Sequence, residues 1–317
     1  MKGFALLKWR LISASVIVVP LLALVYLDFH YCMGARGVWL LPLALILSVM
    51  MVHELLSLWR ERPDCPRGWP IHVAAPLVVL GAGFPLILRL PCLGVPIEYS
   101  FGAFDPLLLA VVLGIGLVFG SEMSRYAPSG QPSGQSTGRI ALSMLVIVYA
   151  GLLVGFLVKL RGLGEAAGPD WGMAALLSLV FIAKLSDTAA YFVGRQFGKH
   201  KMAPVLSPSK TVEGAVGALL AAGVGGYICH AFLVPALVGQ QPERGPLWGW
   251  LLFGGLVTVT GMMGDLAESL FKRDARRKDS GGWLPGLGGV LDVLDSVVFA
   301  GAPAYFYFAS GLIGPVP

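Results

Sequence analysis

Nine apolar runs, each about 17–25 residues long, leave this chain few ways to fold. They fall near residues 11–28, 38–59, 70–90, 104–121, 140–158, 171–194, 211–235, 247–271 and 290–312. A helix rising about 1.5 Å per residue over such a run crosses the hydrocarbon core of a bilayer. The expected class is therefore all-α: a polytopic integral membrane protein with about nine transmembrane helices. Composition excludes the soluble alternative, since 56% of the 317 residues are hydrophobic and only 13% charged, with a mean hydropathy of +0.77. The third run contains prolines, which leaves a re-entrant segment open there.

Basic residues orient the bundle, because short loops rich in Lys and Arg stay cytoplasmic. With nine spans and an inside N-terminus, 17 of the 23 basic residues lie in inside segments, 5 lie outside, and Lys184 falls within a span. The expectation is N-inside, C-outside. A formal net charge of +5 is accounted for by loops beside anionic headgroups, so the partner surface is membrane lipid and not nucleic acid. The first run follows Lys8 and Arg10 as a signal peptide would. Its length and the lack of a convincing cleavage site after it make it a retained span. Cys32, Cys65, Cys92 and Cys229 show no CxxC spacing and read as small apolar packing residues.

Charge divides the chain into an expected transmembrane scaffold, 1–160, and an expected catalytic transmembrane domain, 171–317. In the first, His53 and Glu54 sit near the inner end of the second span, ahead of Arg60. They read as an interfacial, snorkelling pair, with a substrate-cavity role as the second reading. The segment 129–138, SGQPSGQSTG, reads as a flexible inner linker.

In the second, Lys184 and Asp187 share a helical face. Asp187 lies roughly 12 Å from the inner helix end, where an uncompensated carboxylate costs several kcal/mol. An ion pair with Lys184 is one explanation and a role in a site is the other. The basic segment 195–214 reads as an inside loop, with Ser207 or Ser209 capping the next helix and Thr211 and Glu213 in its first turn. Lys210 at that helix N-terminus would favour an anion such as phosphate.

The stretch 264–296, GDLAESLFKRDARRKDSGGWLPGLGGVLDVLDS, carries the densest charge. Asp265 and Glu268 stand at i, i+3 near the end of one span, and Asp292 and Asp295 at i, i+3 near the start of the next. Between them lie Lys272, Arg273, Arg276, Arg277 and Lys278. The expected topology gathers these four acids with Asp187 and Glu213 in the inner half of the membrane, where they can face one cavity. Several carboxylates in low dielectric need compensation, which a hard cation such as Mg²⁺ supplies while bridging to phosphates. Metal, phosphate and an inner location together point to phosphoryl or nucleotidyl transfer onto a lipid headgroup. Helix-end acids paired with loop arginines, or a cation or proton path, are the competing readings. A transporter would need acids towards the outer face, where little stands beyond Asp28 and Asp105.

The same stretch resembles the signature of the phosphatidate cytidylyltransferase, or CDP-diacylglycerol synthase, family. Ser269, Lys272, Arg273, Lys278, Asp279, Pro285, Gly286, Gly288, Gly289, Leu291, Asp292, Asp295 and Ser296 match it by position. A second block, from Asp187 and Tyr191 through Gly198 and Lys199 to Ser207, Lys210, Thr211, Glu213 and Gly214, resembles another segment of that family. The resemblance implies a CTP-dependent nucleotidyltransferase (EC 2.7.7 class) converting CTP and phosphatidate to CDP-diacylglycerol and pyrophosphate. The implied cofactor is Mg²⁺, with room for a monovalent cation such as K⁺. The implied place is the inner membrane with the site facing the cytoplasm, and a homodimer is allowed.

Carried over residue by residue, Asp265, Asp292, Asp295 and Lys272 are catalytic. Asp265, Asp292, Asp187 and Asp295 bind metal, and Ser207, Lys210, Thr211, Glu213, Arg273, Lys278 and Asp279 bind substrate phosphates. Two positions depart from the pattern: Leu287 stands in place of a His and Val293 in place of an Arg. A divergent synthase with compensating residues, a changed substrate and a weak or inactive paralogue all fit those changes.

Overall fold

The computed structural model describes residues 15, 18–31, 34–91, 105–126, 134–163, 171–239, 244–283 and 288–314. Among the described residues nine helices follow one another: α1 (Val18–His30), α2 (Leu40–Leu58), α3 (Gly68–Leu88), α4 (Pro106–Arg125), α5 (Gln135–Arg161), α6 (Trp171–Phe197), α7 (Val212–Val238), α8 (Leu247–Asp274) and α9 (Val290–Ala309). Eight are long and apolar enough to cross a membrane, and α1 is shorter. The expected first span begins at residues outside those described. An all-α polytopic membrane protein is thus the observed class. The proline-bearing third run is one continuous helix with Pro76 and Pro85 inside it, and membrane helices tolerate this when neighbours re-satisfy the freed carbonyls.

The segment 195–214 is not the plain loop expected from its charge. Lys201–Ala203 (β1) and Ser207–Thr211 (β2) pair antiparallel as a small hairpin leading into α7. Neither Ser207 nor Ser209 is the cap. Thr211, with extended backbone, accepts from the Gly214 N–H at 3.1 Å through Oγ1, as an N-cap does. Asp105 caps α4 by accepting from Leu107 N at 2.9 Å, with Pro106 in the first turn. Asp28 accepts from Gly37 N at 2.9 Å and Trp39 N at 3.2 Å, just ahead of α2.

The chain groups into two compact units, Met1–Val158 with Ala275–Val293, and Lys159–Asp274 with Leu294–Pro317. In the first, α3 is central, with Ile71, Ala74, Ala75, Val78 and Val79 fully buried against α2, α4 and a π-helical turn of α5 at Ile147–Leu152. Small residues set the spacing. A Cβ on Gly151 would lie 3.0 Å from the Ala75 carbonyl oxygen, which is the close approach that membrane helices reach with glycine and alanine. A buried ion pair joins α4 to α5, Arg139 Nε to Glu122 Oε2 at 2.7 Å. In the loop after α2, the Arg62 guanidinium is hydrogen-bonded to Asp64 and holds its carboxyl below the ordinary range.

In the second unit α6 and α8 pack on α7. Trp250 and Phe253 of α8 meet Phe308 of α9 edge-on, with centroids 5.8 and 5.1 Å apart. Tyr307 Oη donates to the Gly249 carbonyl at 2.8 Å. Near the other end of α8, a Cβ on Gly264 would stand 2.5 Å from the Asp295 carbonyl oxygen and 2.6 Å from Phe299 Cβ. Gly264→Ala is therefore expected to destabilise the protein by about 1–3 kcal/mol, read as a lower melting temperature in detergent. An unchanged melting point would show that α8 and α9 can separate there without cost.

Candidate active site

Ionisable side chains gather within each unit. In the second unit, α8 carries Asp265 and Glu268 one turn apart, and α9 carries Asp295. One carboxylate oxygen from each lies within 4.8 Å of the others. Glu268 and Asp295 are buried and Asp265 is partly exposed. Lys210, at the end of the hairpin, reaches Asp265 Oδ2 at 2.6 Å. Lys272, one turn after Glu268, donates to its Oε2 at 2.7 Å. Three acids thus stand with two lysines. A carboxylate set this close is suited to a hard divalent cation, which prefers oxygen ligands and commonly shares them with phosphates.

Asp187 stands beside a different neighbour. Ser296 Oγ donates to Asp187 Oδ2 at 3.0 Å, while Lys184 Nζ lies 3.4 Å from the same oxygen and 3.2 Å from Ser296 Oγ. The Lys184–Asp187 ion pair, one of the two readings of their spacing, is present, and it is tied to α9. Glu213 turns to the hairpin, where its oxygens accept from Lys199 N at 3.0 Å and His200 N at 3.2 Å and contact His200 Nδ1 at 2.6 Å. Arg273 Nε donates to the Leu206 carbonyl at 3.3 Å, and Ser207 Oγ lies 3.5 Å from Ser209 Oγ. Lys210 is thus presented from a hairpin braced by Glu213 at its base and Arg273 at its turn. Gly198 leaves room for this, because a Cβ there would meet Thr211 Cγ2 at 2.6 Å.

In the first unit, Asp292 opens α9. Its Oδ2 accepts from Gly289 N at 2.7 Å, Ser280 Oγ at 2.8 Å and Ser280 N at 3.1 Å. Gly288, at φ +95°, makes the turn that brings Gly289 N round, a conformation glycine adopts without penalty. Glu54 of α2 is only 1% exposed, which corrects the interfacial placement read from the sequence. A carboxylate this buried needs donors, and it has them in Val290 N at 2.8 Å and Leu291 N at 2.8 Å, with the Ser280 hydroxyl, whose one proton is shared with Asp292, 3.2 Å from Oε2. Beside it lies a cavity of about 450 Å³ lined in part by His53, Arg277, Lys278, Asp279 and Trp283. Lys278 and Asp279, expected at phosphates, are exposed on its wall. Leu287 lies outside the described residues, and Val293 is half-buried on α9.

Local spacing signalled Glu268, which stands at i+3 from Asp265, and Ser296, which follows Asp295. Glu54 carried a substrate-cavity role only as a second reading, and nothing local signalled Ser280; the two meet from elements far apart in the chain.

Residues 8–310, nearly the whole chain, match the Cytidylyltransferase family. The chain belongs to that family. Among relatives of this cytidylyltransferase-family chain, the phosphatidate cytidylyltransferase of Haemophilus influenzae is 38% identical over 170 residues, 53% of this chain and 56% of the relative. That of Bacillus subtilis is 36% identical over 165 residues, 52% of this chain and 56% of the relative. An uncharacterised protein, YnbB of Escherichia coli, is 31% identical over 220 residues, 68% of each chain. The matches to the two phosphatidate cytidylyltransferases thus span little more than half their length.

Proposed function

We infer that this chain is a phosphatidate cytidylyltransferase, acting at the cytoplasmic side of the cell's inner membrane on CTP and phosphatidate. The observation that carries the reading is the group Asp265, Glu268 and Asp295 flanked by Lys210 and Lys272, in a chain of the Cytidylyltransferase family. A phosphate oxygen of phosphatidate attacks the α-phosphorus of CTP, forming a new P–O bond. The bond from that phosphorus to the bridging oxygen breaks, and pyrophosphate leaves with the electron pair.

The protein's task in such a step is to hold two polyanions together and to meet the charge that spreads over the phosphoryl oxygens. Lys210, Lys272, Arg273 and Lys278 supply positive charge for the phosphates. Ser207, Thr211, Glu213 and Asp279 belong to the hairpin and signature segments that present those cations. Asp265 and Asp295, with Glu268, would hold Mg²⁺, and Asp187 and Asp292 are the other acids of the expected metal set. When bound, the ion neutralises phosphate charge and fixes oxygen positions. The lysines already at Asp265 and Glu268 keep those acids compensated beforehand.

Purified protein in detergent is expected to convert CTP and phosphatidate to CDP-diacylglycerol with Mg²⁺ present, and EDTA is expected to abolish the product. Absence of any CDP-lipid across several phosphatidates would overturn the reading. Ion flux into liposomes without CTP would favour transport instead.

A further inference from the structure

We propose that Glu54 is a positioning residue: from α2 it clamps Ser280 and the first turn of α9, and so sets the orientation of Asp292. The proposal rests on the cytidylyltransferase reading for its consequence, and on the first unit alone for its geometry.

A helix N-terminus leaves its first N–H groups without intrahelical acceptors. In α9 the side chain of Glu54 takes two of them, one on each oxygen: Val290 N on Oε1 and Leu291 N on Oε2. A carboxylate there also meets the positive end of the helix dipole. Ser280 then joins the clamp to the site. Its hydroxyl lies 3.2 Å from Glu54 Oε2 and 2.8 Å from Asp292 Oδ2, so one group spans both acids, and its own N–H is held on Asp292.

Space is reserved for this arrangement. A Cβ on Gly281 would stand 2.8 Å from Glu54 Oε1, and one on Gly289 would stand 2.5 Å from Oε2. The turn is built around the carboxylate. Both oxygens are engaged by donors of the turn, so Glu54 is not placed to take a proton from substrate. It acts through Asp292 and through the Lys278–Asp279 wall of the adjoining cavity, which it also lines. It further fills the start of α9 with the protein's own anion, which sends incoming phosphates to the cations.

Glu54→Gln tests the clamp, because the amide keeps the shape but turns an N–H₂ towards a backbone donor. With the variant folded and melting close to wild type, kcat is expected to fall roughly 10–100-fold, as for other residues that orient a site through a neighbour, with KM for CTP changed far less. Amide exchange should quicken more than about tenfold in 280–292 and nowhere else. Faster exchange with wild-type kcat would reduce Glu54 to a structural cap and overturn the positioning role, and unchanged exchange would overturn the clamp itself. Should wild-type protein make no CDP-lipid, the enzymatic reading falls while the exchange experiment still decides the clamp. If Glu54→Gln does not fold, Ser280→Ala removes only the bridge between the acids. It is expected to lower kcat by severalfold at unchanged melting temperature, and wild-type turnover there would sink the proposal.

Discussion

Asp265→Asn should lower CDP-diacylglycerol synthesis by on the order of 10²–10³ or more, the range seen when one preorganised electrostatic group is removed from a transition state. The substitution keeps the side-chain volume and deletes one negative charge from the group shared with Glu268 and Asp295. It also removes the counter-charge of Lys210, now 2.6 Å from Asp265 Oδ2. Asp265 is 38% exposed at its side chain, so folding should survive, and an unchanged melting temperature is the control. Asp292→Asn is expected to abolish turnover by a different route, since Asp292 Oδ2 collects three donors from Ser280 and Gly289. Near wild-type rates in Asp265→Asn, measured from CTP and phosphatidate at saturating Mg²⁺, would remove this cluster from the mechanism.

The second large effect is on stability and lies in the other unit. Arg139→Met should destabilise the protein by about 3–5 kcal/mol, because it strands a buried carboxylate. Arg139 and Glu122 are 1% and 5% exposed at their side chains and 2.7 Å apart. Adding Glu122→Gln should recover much of the loss, as no charge is then left behind. Thermal unfolding of the two variants in detergent checks this, and equal destabilisation by single and double variants would show that packing, not charge, holds α4 to α5.

The helices were legible in the sequence because a span must satisfy its own backbone and hide it in apolar side chains, and both demands act within about twenty residues. The hairpin at 201–211 was not. Its strands are short and polar and, among the described residues, pair only with each other, and Glu213 closes their base by reaching back to Lys199 and His200. The same contact aims Glu213 at the hairpin, a direction its position in a first helical turn could not reveal. Spacing placed Asp265 beside Glu268, topology led to the expectation of Asp295 with them from another helix, and one oxygen from each lies within 4.8 Å of the others. Spacing could not place Glu54: its position near the inner end of the span, ahead of Arg60, suggested an interfacial acid, whereas its donors lie more than two hundred residues away. The π-helical turns at Ile147–Leu152 and Cys229–Leu233 likewise leave no mark in apolar periodicity over so short a length.

That separation also has a clock. Val290 and Leu291 follow Glu54 by 236 and 237 residues, so a ribosome adding about 5–20 residues per second delivers them about 10–50 s after Glu54 itself. During that interval α2 carries an acid whose two backbone donors at the start of α9 have yet to be made. The first unit closes only when its last segment, Ala275–Val293, arrives. A chain cut short before residue 280 lacks all three groups that meet this acid, and one cut between 280 and 290 still lacks both backbone donors.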